Sequence, residues 1–278
     1  MPVLPSKYLG SLQKINFGTQ SYILEKFSQT QLNQLSDKQM IQGSLGVRVM
    51  DVGEIYWTTK IDSTALVYEN GVNGDIFSLI SLLWDNIRSA NNATTTPYQP
   101  LLEKATISIN KDAVRCSTTL KSDGPSYFSV TTGNATEPIA RTARWFDCSL
   151  LISSNGPIGF EGTSTAVAIE SAEIELDAKI SQRYFVGQGQ TPYFSIDSYK
   201  VSGRMTVLAS REDLLNDNNY IKFQNRGQLV QTGSNGLTLY IGNIPLYIGM
   251  AAMNSEYTRT VQAGDVNKIS IVFTSYTS

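Results

Sequence analysis

The sequence predicts a mainly β chain with short helices, an α+β arrangement of two similar modules, each a sheet with one helix packed on it. Three observations predict it: strict period-2 alternation in both halves, an amphipathic helix soon after a strand, and a return of that order near residue 200.

The clearest alternation runs from Ala172 to Ile180. Ala172, Ile174, Leu176, Ala178 and Ile180 share one parity, and Glu173, Glu175, Asp177 and Lys179 share the other. That is a strand with one dry and one wet face. Tyr199 to Val207 repeats it, with Tyr199, Val201, Met205 and Val207 against Lys200, Ser202, Arg204 and Thr206. Antiparallel pairing of the two would set acids opposite bases, each pair worth about 0.2–1 kcal/mol. Ser210 offers a helix N-cap with Asp213 three positions on, Leu214 and Leu215 supply the apolar side, and Asn216 to Asn219 end the helix.

Ser181 to Ser198 separates the two strands and carries Gly187, Gly189 and Pro192 together with Tyr184, Phe185, Tyr193 and Phe194. Hairpin loops usually hold two to five residues, and exposed loops rarely carry so much aromatic surface. This one is expected to dock against another surface.

In the first half, residues 1–44 read as an N-terminal arm that becomes ordered against other surfaces. Alternation begins with Leu45, Val47 and Val49 and continues through Ile55, Trp57, Ile61, Ala65 and Val67, with Lys60, Asp62 and Thr64 between. Asn73, Gly74 and Asp75 form a turn and cap. Ile76, Leu79, Ile80, Leu83 and Ile87 then fall at the spacing of a buried helix stripe that runs to about Ser89. Ala105 to Val114 and Trp145 to Ile152 read as further strands, the latter with Phe146, Cys148, Leu150 and Ile152 on one parity. Lys121 to Arg144 reads as an irregular hairpin. Gly236 to Ile241, Pro245 to Met250 and Asn267 to Thr274 close the second half. The expected division is a first module at 45–155, a hinge at 156–164 and a second module at 165–278.

Composition narrows the chemistry. The chain of 278 residues has no histidine, which removes Ser-His-Asp triads, Cys-His pairs and nearly all zinc sites. No catalytic, metal or cofactor residue is expected. Glu173, Glu175 and Asp177 have a spacing an inverting glycosidase would tolerate, but a solvated strand face explains them better. Gly187-Gln-Gly189 lacks the third glycine of a dinucleotide loop. Net charge is −2, so no global field draws in nucleic acid or anionic membrane. Charged residues make up 17 % against a usual quarter, as expected where surface is buried in assembly. The apolar runs at 76–84 and 244–253 are too short to cross a bilayer, and no secretory signal is read at the N-terminus. Cys116 and Cys148 are expected as reduced thiols in strands. Asn92-Ala-Thr94 and Asn134-Ala-Thr136 match the glycosylation acceptor, a match that chance produces in Thr/Asn-rich sequence.

The run Ile174-Glu-Leu176-Asp-Ala178, the long loop, Val201-Ser-Gly203-Arg-Met205-Thr-Val207 and the acidic Glu212-Asp-Leu214-Leu215 together resemble the tail tube proteins of long-tailed bacteriophages and related viruses. The resemblance covers residues 165–278 best. It implies a non-enzymatic virion protein, assembled in the host cytoplasm, whose sandwich or barrel modules join into a continuous inner β-barrel. Rings of it stack into the tail tube through which the genome leaves. Two modules per chain imply a trimer imitating six-fold symmetry, with a hexamer as the one-module case. About 24 strands at about 4.8 Å, tilted by up to about 40°, give a backbone diameter of roughly 37 to 48 Å, wide enough for a DNA duplex. Implied partners are other copies of the chain, the tape-measure and tail-end proteins, and double-stranded DNA in passage, with no membrane. Tyr184, Phe185, Tyr193 and Phe194 would be inter-ring contacts. Glu173, Glu175, Asp177, Lys179, Lys60 and Asp62 would face the lumen. The alternatives are a capsid or decoration protein with a β-sandwich, and a carbohydrate-binding β protein.

Overall fold

The computed structural model describes residues 13–35, 52–68, 74–89, 100–130, 140–152, 165–183, 193–208, 237–249, 252–260 and 268–277. Among them the protein is mainly β with one α-helix. The strands are β1 (Gln13–Phe17), β2 (Gln20–Leu24), β3 (Lys26–Leu35), β4 (Val52–Thr64), β5 (Leu66–Tyr68) and β6 (Gly74–Asp75), followed by α1 (Ile76–Ser89). After it come β7 (Leu101–Ile109), β8 (Val114–Ser122), β9 (Phe128–Val130), β10 (Ala140–Thr142), a 3-10 turn at Trp145–Asp147 and β11 (Cys148–Ile152). The long pair β12 (Thr165–Arg183) and β13 (Tyr193–Leu208) precedes β14 (Leu237–Ile241), β15 (Ile244–Gly249), β16 (Ala252–Thr260) and β17 (Lys268–Thr277).

Eight strands lie side by side in the order β3-β4-β8-β7-β12-β13-β17-β16, each antiparallel to the next. The order repeats. The first four strands run first, second, fourth, third in chain order, and the last four do the same. Their irregularities repeat too. β4 carries one extra residue where Asn33 and Leu35 pair with Ile55 and Val52. β13 carries one where Ala178 and Ile180 pair with Tyr199 and Ile196. β7 also bulges against β8, by one residue between Leu102 and Lys104, and β16 against β17, by two between Met253 and Tyr257.

Both halves share one core. The predicted stripe Ile76, Leu79, Ile80, Leu83 and Ile87 is fully buried, each side chain worth roughly 1.5–3 kcal/mol against exposure. Asp75 and Ser78 cap α1 reciprocally: the Asp75 carboxylate accepts from the Ser78 N–H at 2.8 Å and the Ser78 hydroxyl from the Asp75 N–H at 2.8 Å. The helix also ties the early strands to the late ones. The Ser81 hydroxyl donates to the Pro245 carbonyl at 2.5 Å and the Trp84 indole N–H to the Tyr247 carbonyl at 3.1 Å. Gly242, at φ 58°, makes the two-residue turn from β14 to β15.

Four expectations change. Residues 13–35 of the supposed arm are strands, and Ile15, Tyr22 and Leu24 are buried in the core. The Gln-rich wording of β3 hid that strand, because an edge strand with one wet face needs few apolar residues. Ala105 to Val114 is a hairpin, turned where the Asn110 side chain accepts from the N–H groups of Asp112 and Ala113 at 3.0 and 2.9 Å. Phe146 lies in the 3-10 turn and is 55 % exposed, off the strand that starts at Cys148. Of the loop predicted at 181–198, Ser181 to Arg183 and Tyr193 to Ser198 are strand, because the extra residue at Asp197 reverses strand parity and carries the ladder through Ile180↔Ile196 to Arg183↔Tyr193; residues 184–192 lie outside the described residues. The helix expected after Ser210 and the hinge at 156–164 lie outside the described residues. Cys116 and Cys148 are free and buried, as expected; burial first, with Asp75 and Cys148 nearby, holds the Cys116 thiol well above its usual range.

Candidate channel face and assembly edges

The eight-stranded run has two faces of opposite character. Inward from β4, β8, β7, β12 and β13 point Ile61, Cys116, Ile107, Ile174 and Val201, all buried and covered in part by α1. Outward, cross-strand register lines up polar side chains in rows, since residues opposite each other share a face. One row runs Lys200, Asp177, Lys104, Thr119, Lys60, Ser28 across β13, β12, β7, β8, β4 and β3. The next runs Thr274, Ser202, Glu175, Thr106, Ser117, Asp62, Lys26. A third sets Arg204, Glu173, Ser108, Arg115 and Thr64 side by side.

All six residues expected on a lumen belong to this face. Glu173, Asp177, Lys179, Lys60 and Asp62 are exposed, and Glu175 is half-buried. The predicted acid-base matching holds at Glu173 opposite Arg204 and Asp177 opposite Lys200. Ion pairs cross the face, among them Lys26 to Asp62 at 3.7 Å and Lys104 to Glu175. The Glu175 hydrogen bond and charge, with Asp177 beyond, raise the Lys104 amine above its usual range, so it stays protonated. Among the described residues a shallow hollow of about 280 Å³ opens on the face between Asp62, Thr106, Ser108 and Arg115. Among the described residues no three His, Cys, Asp or Glu side chains gather as a metal would need.

Sequence reading missed Lys104, Arg115 and β3. Reading 105–114 as one strand carried the parity through the turn at Asn110. The Asn110-Lys-Asp112 triplet was the available signal.

Beyond Asp177↔Lys104, where β7 ends its pairing, and Tyr199↔Thr277, where β17 ends its own, β12 and β13 continue together as a two-stranded hairpin. Of the four expected inter-ring contacts, Phe194 sits in that hairpin, 2 % exposed and paired with Gln182, already buried within this chain. Tyr193 is the first residue of β13. Tyr184 and Phe185 lie outside the described residues.

Among the described residues, no helix is long and apolar enough to cross a membrane. No protein-family model matches the chain, and no curated protein does.

Proposed function

We propose that this chain is a structural virion protein of the tail tube kind. Its eight-stranded runs join side by side into a closed ring, and the rings stack into a channel for the genome. The observation that carries the reading is the repeated strand order within one continuous antiparallel run whose outer rows are polar throughout the middle. Two four-stranded units per chain let three subunits imitate six-fold symmetry. Three runs of eight give the 24 strands, and so the roughly 37 to 48 Å backbone bore, estimated from strand spacing.

The polar face suits the lumen for a physical reason. A wall for DNA passage must be wet yet offer no continuous track of cations, since each phosphate contact holds the duplex back. Here most bases sit beside an acid: Lys104 by Glu175, Lys26 by Asp62, Arg204 by Glu173, Lys200 by Asp177. The apolar face, sealed by α1, turns outward with the helix toward the tube exterior. The hairpin of β12 and β13 runs past its neighbours and is the natural reach toward the adjacent ring.

Negative-stain imaging of the purified chain tests this. Rings or tubes with three-fold or pseudo-six-fold symmetry are expected. A dispersed monomer at every concentration up to the solubility limit would rule the reading out, and specific retention on a glycan array would favour the carbohydrate-binding alternative.

A further inference from the structure

We infer that the ring closes along one defined backbone seam: the outer edge of β16 in one subunit pairs antiparallel with the outer edge of β3 in the next, in the register that β7 and β12 keep inside the chain. The inference rests on the ring reading above and names the surface that makes the ring.

The chain already contains one such junction. The third strand of the first unit, β7, meets the first strand of the second, β12, from Ile109↔Ala172 to Lys104↔Asp177. The matching third strand of the second unit is β16, and the matching first strand of the first unit is β3. Among the described residues each of these has a strand on one side alone, β17 and β4 respectively. Seven successive antiparallel steps leave β3 and β16 running in opposite directions. A copy rotated about a ring axis therefore offers β3 antiparallel to β16, as the internal junction requires. Strands of ten and nine residues with one side open template pairing with another chain.

The repeated irregularities fix the register. Asn33 and Leu35 occupy the places of Ala178 and Ile180, so Thr30 stands where Glu175 does and Ser28 where Glu173 does. Phe273 occupies the place of Leu120, so Ser270 stands for Ser117 and Lys268 for Arg115. Thr258, opposite Ser270, then matches Thr106, and Thr260, opposite Lys268, matches Ser108. Thr106 pairs with Glu175 and Ser108 with Glu173. The seam accordingly sets Thr258 opposite Thr30 and Thr260 opposite Ser28. Residue types of this kind are favourable cross-strand neighbours.

The test is a pair of cysteines in the full chain, Thr30→Cys with Thr258→Cys, oxidised in assembled material and run on a non-reducing gel. The parent, whose Cys116 and Cys148 are both buried, is the control. A ladder of dimer and trimer that stops at three is expected, with at least fivefold less product for the offset pair Thr30→Cys and Thr260→Cys. Mixing the two single variants must yield dimer, which keeps the test sound if the double variant assembles poorly. Rings in the micrographs with no cross-link, or with the offset pair linking better, overturn the seam and leave the ring reading standing. A ladder running past three keeps the seam and overturns the count. No rings and no cross-link overturn both.

Discussion

Trp84 is the side chain whose loss most directly tests how the dry face is sealed. It is fully buried on α1, donates its indole N–H to the Tyr247 carbonyl at 3.1 Å, and meets the Tyr199 ring edge-on at 5.2 Å. One residue thus joins the helix to β15 and to β13. Trp84→Ala opens a cavity between three elements that cannot all collapse onto it, and is expected to cost about 3–5 kcal/mol. Trp84→Phe keeps most of the volume and much of the aromatic contact and forfeits the donor, for about 1–2 kcal/mol. The difference between the variants separates packing from hydrogen bonding. A domain has only about 5–15 kcal/mol in all, so Trp84→Ala stays folded with little in reserve. Urea unfolding of the dispersed subunit, followed by circular dichroism, gives both values from shifts in midpoint at an unchanged slope. An alanine variant within 1 kcal/mol of the parent, or a phenylalanine variant as damaging as alanine, would refute the account of α1 as the seal.

Asp75 supplies a pH dependence. Burial raises its pKa above the usual aspartate range, against hydrogen bonds from the Leu66 and Ser78 N–H groups. With the folded value above the unfolded one, its contribution is complete below about pH 4 and is lost as pH rises through the folded value. The stability advantage of the parent over Asp75→Asn is expected to shrink as pH rises; growth with pH would mean the carboxylate is held as a favoured ion. Glu175→Lys removes the partner of Lys104 in the middle of the polar face. Tubes are expected to form, and genome ejection to slow and become more salt-dependent; unchanged ejection at low salt would place that face elsewhere. Deleting Val186 to Thr191, between β12 and β13, is expected to leave rings that fail to stack, and tubes of normal length in micrographs would remove the hairpin from stacking.

What the sequence determined alone were the features whose cause is local. The 76–87 stripe and the Asp75 cap are written in 3.6-residue spacing and in one hydrogen-bonding side chain, so α1 begins at Ile76 and ends at Ser89 as read. The 172–180 and 199–207 alternations follow from the strand period, and their acid-base register followed with them. Where a single residue interrupts a period, sequence reading failed. The bulge at Asp197 hid the hairpin arm, and the turn at Asn110 hid the parity of β7 and β8. In the N-terminal stretch β3 was lost because Gln, Ser and Thr on an edge strand carry almost no hydrophobic signal. Only the tertiary structure decided that Lys60 and Asp62 share a face with Glu173 to Lys179. Alternation says that a strand has a wet side, but which strands stand next to one another, and so which wet sides merge, is set by long-range backbone pairing that no window of sequence contains.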